Sequence, residues 1–350
     1  MKTYKNLFDK ICSFENIYLA YLKAIKCKRY RSYVLEFSYN LEENLFNIQK
    51  DLVNLTYKPG PYREFIICDF KKRQIKAPAF RDRIIHHAIC NIIEPIFDKI
   101  FIFDSYACRK SKGTHRAVKR LEYFIKSLRT RLRERERERE SKSDIKIFCL
   151  KCDISKYFEN IHHDILFNLL QKKISDWKIL VLLKKIIDST LGEKGIPIGN
   201  LTSQLFANIY LNELDQFVKH HLRCSYYLRY MDDFLILDFS KKRLHQTKET
   251  IRNFLQNKLK LELHPKKANI FPVDKGVDFL GYIIYPYNNR FLKKSTIKRF
   301  LKRMRFYKKE LISGKISKKQ FNSSLNSWLG YAGFANSYYL RKKVISKLLY

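Results

Sequence analysis

The sequence predicts an α+β fold with a separate helical C-terminal part. Two observations predict the mixed core. Strand-like apolar segments are interspersed with helical patterns, and two of these segments lead into aspartates, Asp153 and the adjacent pair Asp232–Asp233. The third observation is the basic segment from Ser295 onward, which has helical spacing. With 350 residues, 45% of them hydrophobic, the chain is long enough to bury a substantial core.

Residues 1–60 are predicted to form an N-terminal helical extension. Apolar residues recur at helical spacing over 5–28 and 41–55, until Tyr-Lys-Pro-Gly-Pro at 57–61 ends the pattern. Residues 62–75 are typical of a strand hairpin with a basic turn, and 77–97 of an extended lead-in followed by a helix.

A dipeptide repeat marks the middle of the chain. Arg and Glu alternate strictly over residues 133–140, a pattern that builds no core at any period but suits a solvated helix with intrahelical ion pairs. We therefore expect residues 127–146 to be an exposed charged insertion, since long surface loops cost little entropy.

The aspartates lie in the segments that follow. Residues 144–170 contain an apolar strand that ends at Asp153, a turn and a helix, and 195–215 run from a Gly/Pro loop into a helix. The stretch YYLRYMDDFLILDF at 226–239 predicts strand, tight turn and strand, with Asp232–Asp233 at the tip. Aspartate also favours turns for structural reasons alone, so this pair needs support from the rest of the chain.

Two further patterns complete the predicted core. An amphipathic helix is expected near 244–259, and GVDFLGYIIYP at 276–286 predicts a last hairpin before the helical C-terminal part.

The charge balance points to a polyanionic partner. Lys and Arg number 71 against 34 Asp and Glu, a formal net charge of +37 that is spread along the chain. Phosphate backbones are the commonest large polyanions in a cell, so nucleic acid is the leading partner class. A membrane surface is the rival, but no apolar segment approaches the ~18 residues of a spanning helix and the N-terminus lacks an apolar signal core. We expect a cytoplasmic protein without membrane contact.

Carboxylates at the ends of neighbouring strands suit metal-assisted phosphoryl chemistry. Two divalent ions about 3.5–4 Å apart hold the attacking and leaving oxygens of an in-line displacement, and they need at least two carboxylates. Asp153 and Asp232 would supply these if their strands lie side by side in one sheet.

At this point the sequence resembles the reverse transcriptases, in ordered blocks that extend over nearly the whole chain. YMDD resembles their metal-binding hairpin, CDISKYF the motif of the first aspartate, and GIPIGNLTSQLFANIYL the loop and helix that hold template and nucleotide. KKRQIKAPAFRDRIIHHA resembles the fingers segment, SYACRKSKGTHRA the next block, LHPKKANI the block after the hairpin, and FLGY the primer grip.

The resemblance implies a right-hand polymerase with fingers and palm over 61–290, the palm carrying the aspartates on an antiparallel sheet, and a helical thumb over 291–350. It implies Asp153, Asp232 and Asp233 as catalytic residues, and Asp153, Ile154, Asp232 and Asp233 as ligands of two Mg²⁺ ions, with Mn²⁺ as a substitute. The residues that it places at the nucleotide are Arg73, Arg81, Phe158, Ile198, Gly199, Gln204 and Lys267. For four of these a plainer role stays open: core packing for Phe158, RNA-backbone contacts for Arg73 and Arg81, and simple solvation for Lys267.

The subclass is indicated by residues 198–204, Ile-Gly-Asn-Leu-Thr-Ser-Gln. Retron and group II intron enzymes usually have Gln before the glycine and end the segment in Ser-Pro, whereas this form resembles the reverse transcriptases of diversity-generating retroelements. SFENIYLAYLKAIKCKR at 13–29 and SWLGYAGFANSYYLRKK at 327–343 also resemble that subclass.

Members of that subclass copy a template-repeat RNA into cDNA with errors concentrated at adenines, which is the basis of mutagenic retrohoming. The resemblance thus implies template RNA, cDNA and dNTPs as partners, a small basic pentameric accessory protein, and a bacterial, archaeal or phage gene. Two alternatives remain: a retron-like or antiviral-defence reverse transcriptase, and a non-catalytic RNA-binding scaffold with a polymerase fold.

Overall fold

The structure, a computed structural model, describes residues 3–68, 72–138, 145–190, 192–287 and 289–349. Its helices are α1 Phe8–Cys12, α2 Phe14–Ala24, α3 Ser32–Tyr39, α4 Leu41–Val53, α5 Phe80–Asp98, α6 Thr114–Glu138, α7 His163–Gln171, α8 Trp177–Ile187, α9 Leu201–Gln216, α10 Lys241–Leu259, α11 Lys294–Ile312, α12 Lys318–Gly333 and α13 Tyr338–Leu349. None of the helices in these described ranges combines the length and apolarity that crossing a membrane requires.

The strands form antiparallel sheets. They are β1 Arg63–Cys68, β2 Lys72–Ala77, β3 Phe148–Asp153, β4 Tyr227–Tyr230, β5 Asp233–Asp238, β6 Asn269–Pro272, β7 Val277–Phe279, β8 Tyr282–Ile284 and β9 Arg290–Leu292. β1 and β2 make a two-stranded ribbon, β7, β8 and β9 a three-stranded sheet, and the central sheet has the order β4-β5-β3-β6. In the central sheet β3 lies between β5 and β6, so a strand from the middle of the chain is flanked by two later ones.

Both faces of the central sheet are covered, because buried side chains that alternate along its strands belong to two different core clusters. Leu150 and Cys152 of β3 belong to one core cluster, which also contains buried apolar residues of α2, α5, α7, α9 and α10. Cys149 of the same strand belongs to a second cluster, with α6, the three-stranded sheet and the C-terminal helices. The sheet is therefore held from two sides, which fixes the positions of its strand ends.

The N-terminal helical patterns form α1 to α4. The first pattern is split in two because Ser13 is extended and caps α2, its Oγ accepting from the Asn16 backbone N–H at 3.3 Å. α1 and α2 pack against α5, so these helices support the central helical layer.

The α+β prediction is confirmed, while two expected boundaries shift. Leu128 is only 2% exposed and belongs to the second core cluster, so the surface part of the predicted insertion 127–146 starts beyond it. Residues 139–144 of that insertion lie outside the described residues. The predicted start of the C-terminal helical part at 291 falls inside β9, which pairs with β8, and α11 begins at Lys294.

Candidate active site

Three carboxylates lie at one edge of the central sheet. β4 and β5 form a hairpin in which Tyr230 pairs with Asp233, so Met231 and Asp232 make a two-residue turn. Met231 has a φ of 57°, the positive value that such tight hairpin turns require. In the neighbouring pair of strands Asp153 is directly opposite Asp233. The predicted meeting of the first aspartate with the Asp pair is therefore observed, as a consequence of strand register.

A buried ion pair holds the hairpin from behind. Arg229 on β4 and Asp215 on α9 are both fully buried, and Arg229 Nε and Nη2 donate to the two carboxylate oxygens of Asp215 at 2.7 and 2.6 Å. Arg229 Nη1 donates to the Met231 carbonyl at 3.0 Å, inside the turn that carries Asp232. Tyr227 Oη donates to Asp215 Oδ1 at 2.7 Å. The network ties the aspartate turn to the core helix α9.

Burial and mutual repulsion act on the Asp pair. The pKa of Asp233 is raised to about 7, chiefly by burial, while the positive charge of Lys151 opposes the shift. Burial also raises the pKa of Asp232, with a further contribution from Asp153 and opposition from Lys267 and Arg73. Two neighbouring carboxyls that resist ionisation are typical of a site that gains stability from added positive charge.

Two lysines supply positive charge at the same edge. Lys267 Nζ lies 2.7 Å from Asp153 Oδ2, and Lys151 Nζ lies 3.7 Å from Asp233 Oδ2. Lys267 is brought here because the chain after α10 runs beside β3: the His264 backbone N–H donates to the Asp153 carbonyl at 2.8 Å, and Ile154 bridges to Leu263. The structure thus pairs Lys267, which the resemblance places at the nucleotide, with the first aspartate.

The donor set suits hard divalent cations, which prefer oxygen ligands. Asp233 Oδ1 is buried and lacks a hydrogen-bond partner in the described part of the chain, which is expected of a carboxylate oxygen that binds a cation. The Ile154 side chain is aliphatic and 1% exposed, so only its backbone carbonyl is available as a ligand. Within the described ranges no group of three or more His, Cys, Asp and Glu side chains is arranged to hold a metal ion without further ligands.

Phe158 follows the first aspartate on a short 3-10 helix, Tyr157–Asn160. Tyr157 is buried and its Oη donates to the Ala207 carbonyl of α9 at 2.5 Å, while the Phe158 ring is only partly buried. The Phe158 carbonyl accepts from the Ile196 backbone N–H at 2.9 Å. The turn after Asp153 is therefore joined to the loop that contains Ile198.

That loop also contacts the β1–β2 ribbon. The Lys76 backbone N–H of β2 donates to the Ile198 carbonyl at 3.0 Å. Gly199 has a φ of 135°, and a Cβ on it would lie 2.8 Å from the Lys76 carbonyl oxygen, a clash that any other residue would have to relieve. Glycine at this position permits the close approach of loop and ribbon.

Gln204 is the exposed position in the first turn of α9, between buried neighbours. Thr202, Ser203 and Leu205 are buried, whereas Gln204 is open to solvent. The buried Thr202 Oγ1 is 2.7 Å from Nδ1 of His86 on α5. Burial lowers the pKa of His86 to about 4, which leaves this imidazole neutral at pH 7. α9 is thereby fixed with Gln204 on its open face.

The two predicted arginines have different surroundings. Arg73 is exposed on β2, and its positive charge opposes the rise that burial causes in the pKa of Asp232. The Arg81 guanidinium is paired with Asp51 of α4 and lies 5.6 Å from the ring centre of Tyr57. The structure therefore brings Arg73 toward the carboxylates and joins Arg81 to the N-terminal helices.

Sequence reasoning missed Arg229, Asp215 and Lys151. The available signal was a charged residue inside a short apolar strand, because a charge buried at such a position requires a partner. The sequence contains Arg229 between Leu228 and Tyr230, but it does not identify Asp215 as the partner.

Comparisons with known proteins agree with this geometry. The family described as reverse transcriptase (RNA-dependent DNA polymerase) matches residues 68–284. Protein YkfC of Escherichia coli strain K12 is 27% identical over 286 residues, covering 70% of this chain and 72% of YkfC. The group II intron-encoded protein LtrA of Lactococcus lactis subsp. cremoris is 27% identical over 357 residues, covering 81% of this chain.

The chain spans 54% of LtrA, so it matches about half of that relative. Among solved structures, telomerase from Candida albicans, determined with a fragment of telomeric RNA, superposes with a TM-score of 0.51 at 11% identity. The superposition covers 73% of this chain and 52% of the telomerase chain, and it supports the polymerase-like fold. Because the family match covers most of the chain and contains all three aspartates, the chain belongs to the reverse transcriptase family.

Proposed function

We propose that this protein copies RNA into DNA by nucleotidyl transfer at Asp153, Asp232 and Asp233. The observation that carries the proposal is the antiparallel register that sets Asp153 opposite Asp233, next to the turn residue Asp232. When bound, two Mg²⁺ ions would polarise the attacking 3′-oxygen and stabilise the leaving pyrophosphate. Asp153, Asp232, the unpartnered Oδ1 of Asp233 and the Ile154 carbonyl would hold them.

The other residues of the site would bind and orient. Arg73 is exposed on the ribbon and its charge acts on Asp232, which suits a contact with the triphosphate of the incoming nucleotide. Phe158, with its ring partly open beyond Asp153, would limit the space beside the sugar and so exclude a 2′-hydroxyl by shape. Ile198 and Gly199 would border the nascent base pair, because their loop packs on the ribbon.

Within the family we propose the diversity-generating subclass. The supporting feature is Ile198, an apolar residue at the position where retron and group II intron enzymes usually carry glutamine. An apolar contact distinguishes correct from incorrect base pairs less sharply than a hydrogen bond, which suits error-prone copying. We further propose a cytoplasmic particle of template RNA, cDNA and a small basic pentameric accessory protein. Retron-like and antiviral-defence reverse transcriptases are the alternatives.

The catalytic assignment is tested with Asp232→Asn. We expect loss of Mg²⁺-dependent primer extension with nearly unchanged RNA binding in a filter assay, because the carboxylate serves the metals and the basic surface serves the phosphates. Asp238→Asn is the matched control, since Asp238 ends the same strand, β5, far from the turn. Unchanged extension by Asp232→Asn would refute the assignment. A wild-type protein that binds RNA without extending a primer would favour the non-catalytic scaffold.

A further inference from the structure

A band of aromatic rings and cations lies along one flank of α6, outside the aspartate site. We call it the α6 stripe and define it by Phe103, Lys112, Arg120, Tyr123, Tyr226 and Arg131. Phe103 is 66% exposed and Tyr123 57% exposed, so more than half of each side chain faces solvent. Large rings exposed to this degree contribute little to the core, and their adjacency requires another explanation.

Each ring in the stripe has a cation next to it. Lys112 Nζ lies 3.5 Å from the ring centre of Phe103, and the Arg120 guanidinium lies 5.2 and 5.1 Å from the ring centres of Phe103 and Tyr123. The Arg131 guanidinium lies 5.6 Å from the ring of Tyr226. Aromatic faces interleaved with cations are the combination that single-stranded nucleic acid binds, bases on rings and phosphates on cations.

The local charge is positive after internal pairing. Asp104 is 4% exposed and accepts from Arg120 Nε at 2.7 Å, while Lys219 Nζ lies 3.5 Å from its other carboxylate oxygen. One buried carboxylate is thus shared by two cations. Lys112 donates to the Phe103 backbone carbonyl at 2.8 Å, a bond that leaves its full charge in place. The stripe therefore complements a polyanion, and its exposed rings favour one that also carries bases.

The stripe leads away from the aspartates. At the start of α6, Thr114 Oγ1 is 3.3 Å from Tyr230 Oη, next to the aspartate turn, whereas Ser127 Oγ is 3.1 Å from Tyr226 Oη at the other end of β4. Tyr226 directly precedes β4 and Tyr230 ends it, so the two tyrosines are four residues apart along the strand, roughly 13 Å at about 3.3 Å per residue. A chain lying on the stripe would extend beyond the region in which the primer end must meet the carboxylates.

We propose that the α6 stripe binds a single-stranded segment of RNA that leads away from the catalytic carboxylates. The proposal rests on the proposed function only for the choice of RNA as the polyanion. It predicts that the rings carry affinity for unpaired RNA, separately from polymerisation.

The test is the double variant Phe103→Ala/Tyr123→Ala, with a fluorescent single-stranded RNA 12-mer as probe in an anisotropy titration at several salt concentrations. We expect the affinity for the 12-mer to fall by about tenfold or more, since each base that stacks on a ring contributes measurably. The slope of log affinity against log salt should stay unchanged, because all cations are retained. Primer extension on a short primed template without a long single-stranded tail should also stay unchanged.

Tyr30→Ala/Tyr39→Ala is the matched control, since these tyrosines are 94% and 90% exposed and lie outside the stripe. It should bind the 12-mer like wild type. Phe103→Tyr/Tyr123→Phe retains both rings and should also bind like wild type. This variant distinguishes the loss of the stacking rings from a disturbance of the fold. An affinity of Phe103→Ala/Tyr123→Ala within twofold of wild type would overturn the proposal. An equal loss of affinity in Tyr30→Ala/Tyr39→Ala would overturn it as well. The main readout of this test is RNA binding. If Asp232→Asn left primer extension unchanged, the proposed function would fail, but neither of these two binding results would follow from that.

Discussion

Replacing Asp215 by asparagine tests whether the buried ion pair with Arg229 holds the aspartate turn. Both side chains are 0% exposed, and Arg229 donates to both oxygens of Asp215 as well as to the Met231 carbonyl. In Asp215→Asn the positive charge of Arg229 stays buried without its counter-charge. One of the two acceptors also becomes an amide NH₂, which cannot accept from the guanidinium.

The expected cost follows from this burial. Removing one partner of a buried ion pair costs about 3–5 kcal/mol, a large part of the roughly 5–15 kcal/mol that stabilises a typical domain. The same change also loosens Arg229, whose Nη1 donates to the Met231 carbonyl next to Asp232. A displacement of about 1 Å of a catalytic group lowers the rate by roughly a hundredfold, so we expect primer extension to fall by about 10–100-fold even where the variant is folded.

Urea unfolding and primer extension on the same preparation measure the two effects. Glu249→Gln is the control, because Glu249 pairs with Arg252 on the surface of α10, where the side chains are 55% and 39% exposed. Such an exposed pair contributes about 0.2–1 kcal/mol. If Asp215→Asn lowered the free energy of unfolding no more than Glu249→Gln does, the buried pair would not support the hairpin. A folded Asp215→Asn variant with wild-type primer extension would show that the ion pair does not position the aspartate turn for catalysis.

Three further predictions concern the surroundings of the nucleotide. Phe158→Ala should admit ribonucleotides by opening space beside the sugar, a change of about a hundredfold in the ribo/deoxy rate ratio; unchanged selectivity in single-nucleotide extension would mean that Phe158 is a packing residue. Ile198→Gln should lower misincorporation opposite template adenine by about three- to tenfold, the value of one neutral hydrogen bond, while most activity remains; sequencing of cDNA from one adenine-containing template measures this, and a wild type without excess errors at adenine would contradict the subclass. Gly199→Ala should destabilise the protein more than Gly192→Ala: both glycines have positive φ, but only Gly199 has a backbone oxygen 2.8 Å from the added Cβ, so equal melting temperatures would argue against a tight contact between loop and ribbon.

Much of the secondary structure was predictable because it depends on local spacing. Short apolar runs predict β3, β4 and β5, and the 3.6-residue period predicts α4 and α10, to within a few residues at their ends, whereas the single helical pattern predicted over 5–28 is divided into α1 and α2. The charged repeat was a weaker guide. It predicts that residues 127–146 are exposed, whereas the buried apolar face of α6 continues as far as Leu128.

The identities of the site residues and the expectation that the aspartates meet followed from short motifs, whereas the strand register did not. The sequence by itself determined that Asp153 ends an apolar strand and that Asp232 and Asp233 lie at a hairpin tip. The tertiary structure decided that β3 pairs with β5 in the register that sets Asp153 against Asp233, that Arg229 is neutralised by Asp215, and that Arg81 pairs with Asp51. Periodicity reflects only the local environment of each residue. Strand order and the partners of buried charges depend on contacts between residues far apart in the chain, which form only when both faces of the sheet are packed.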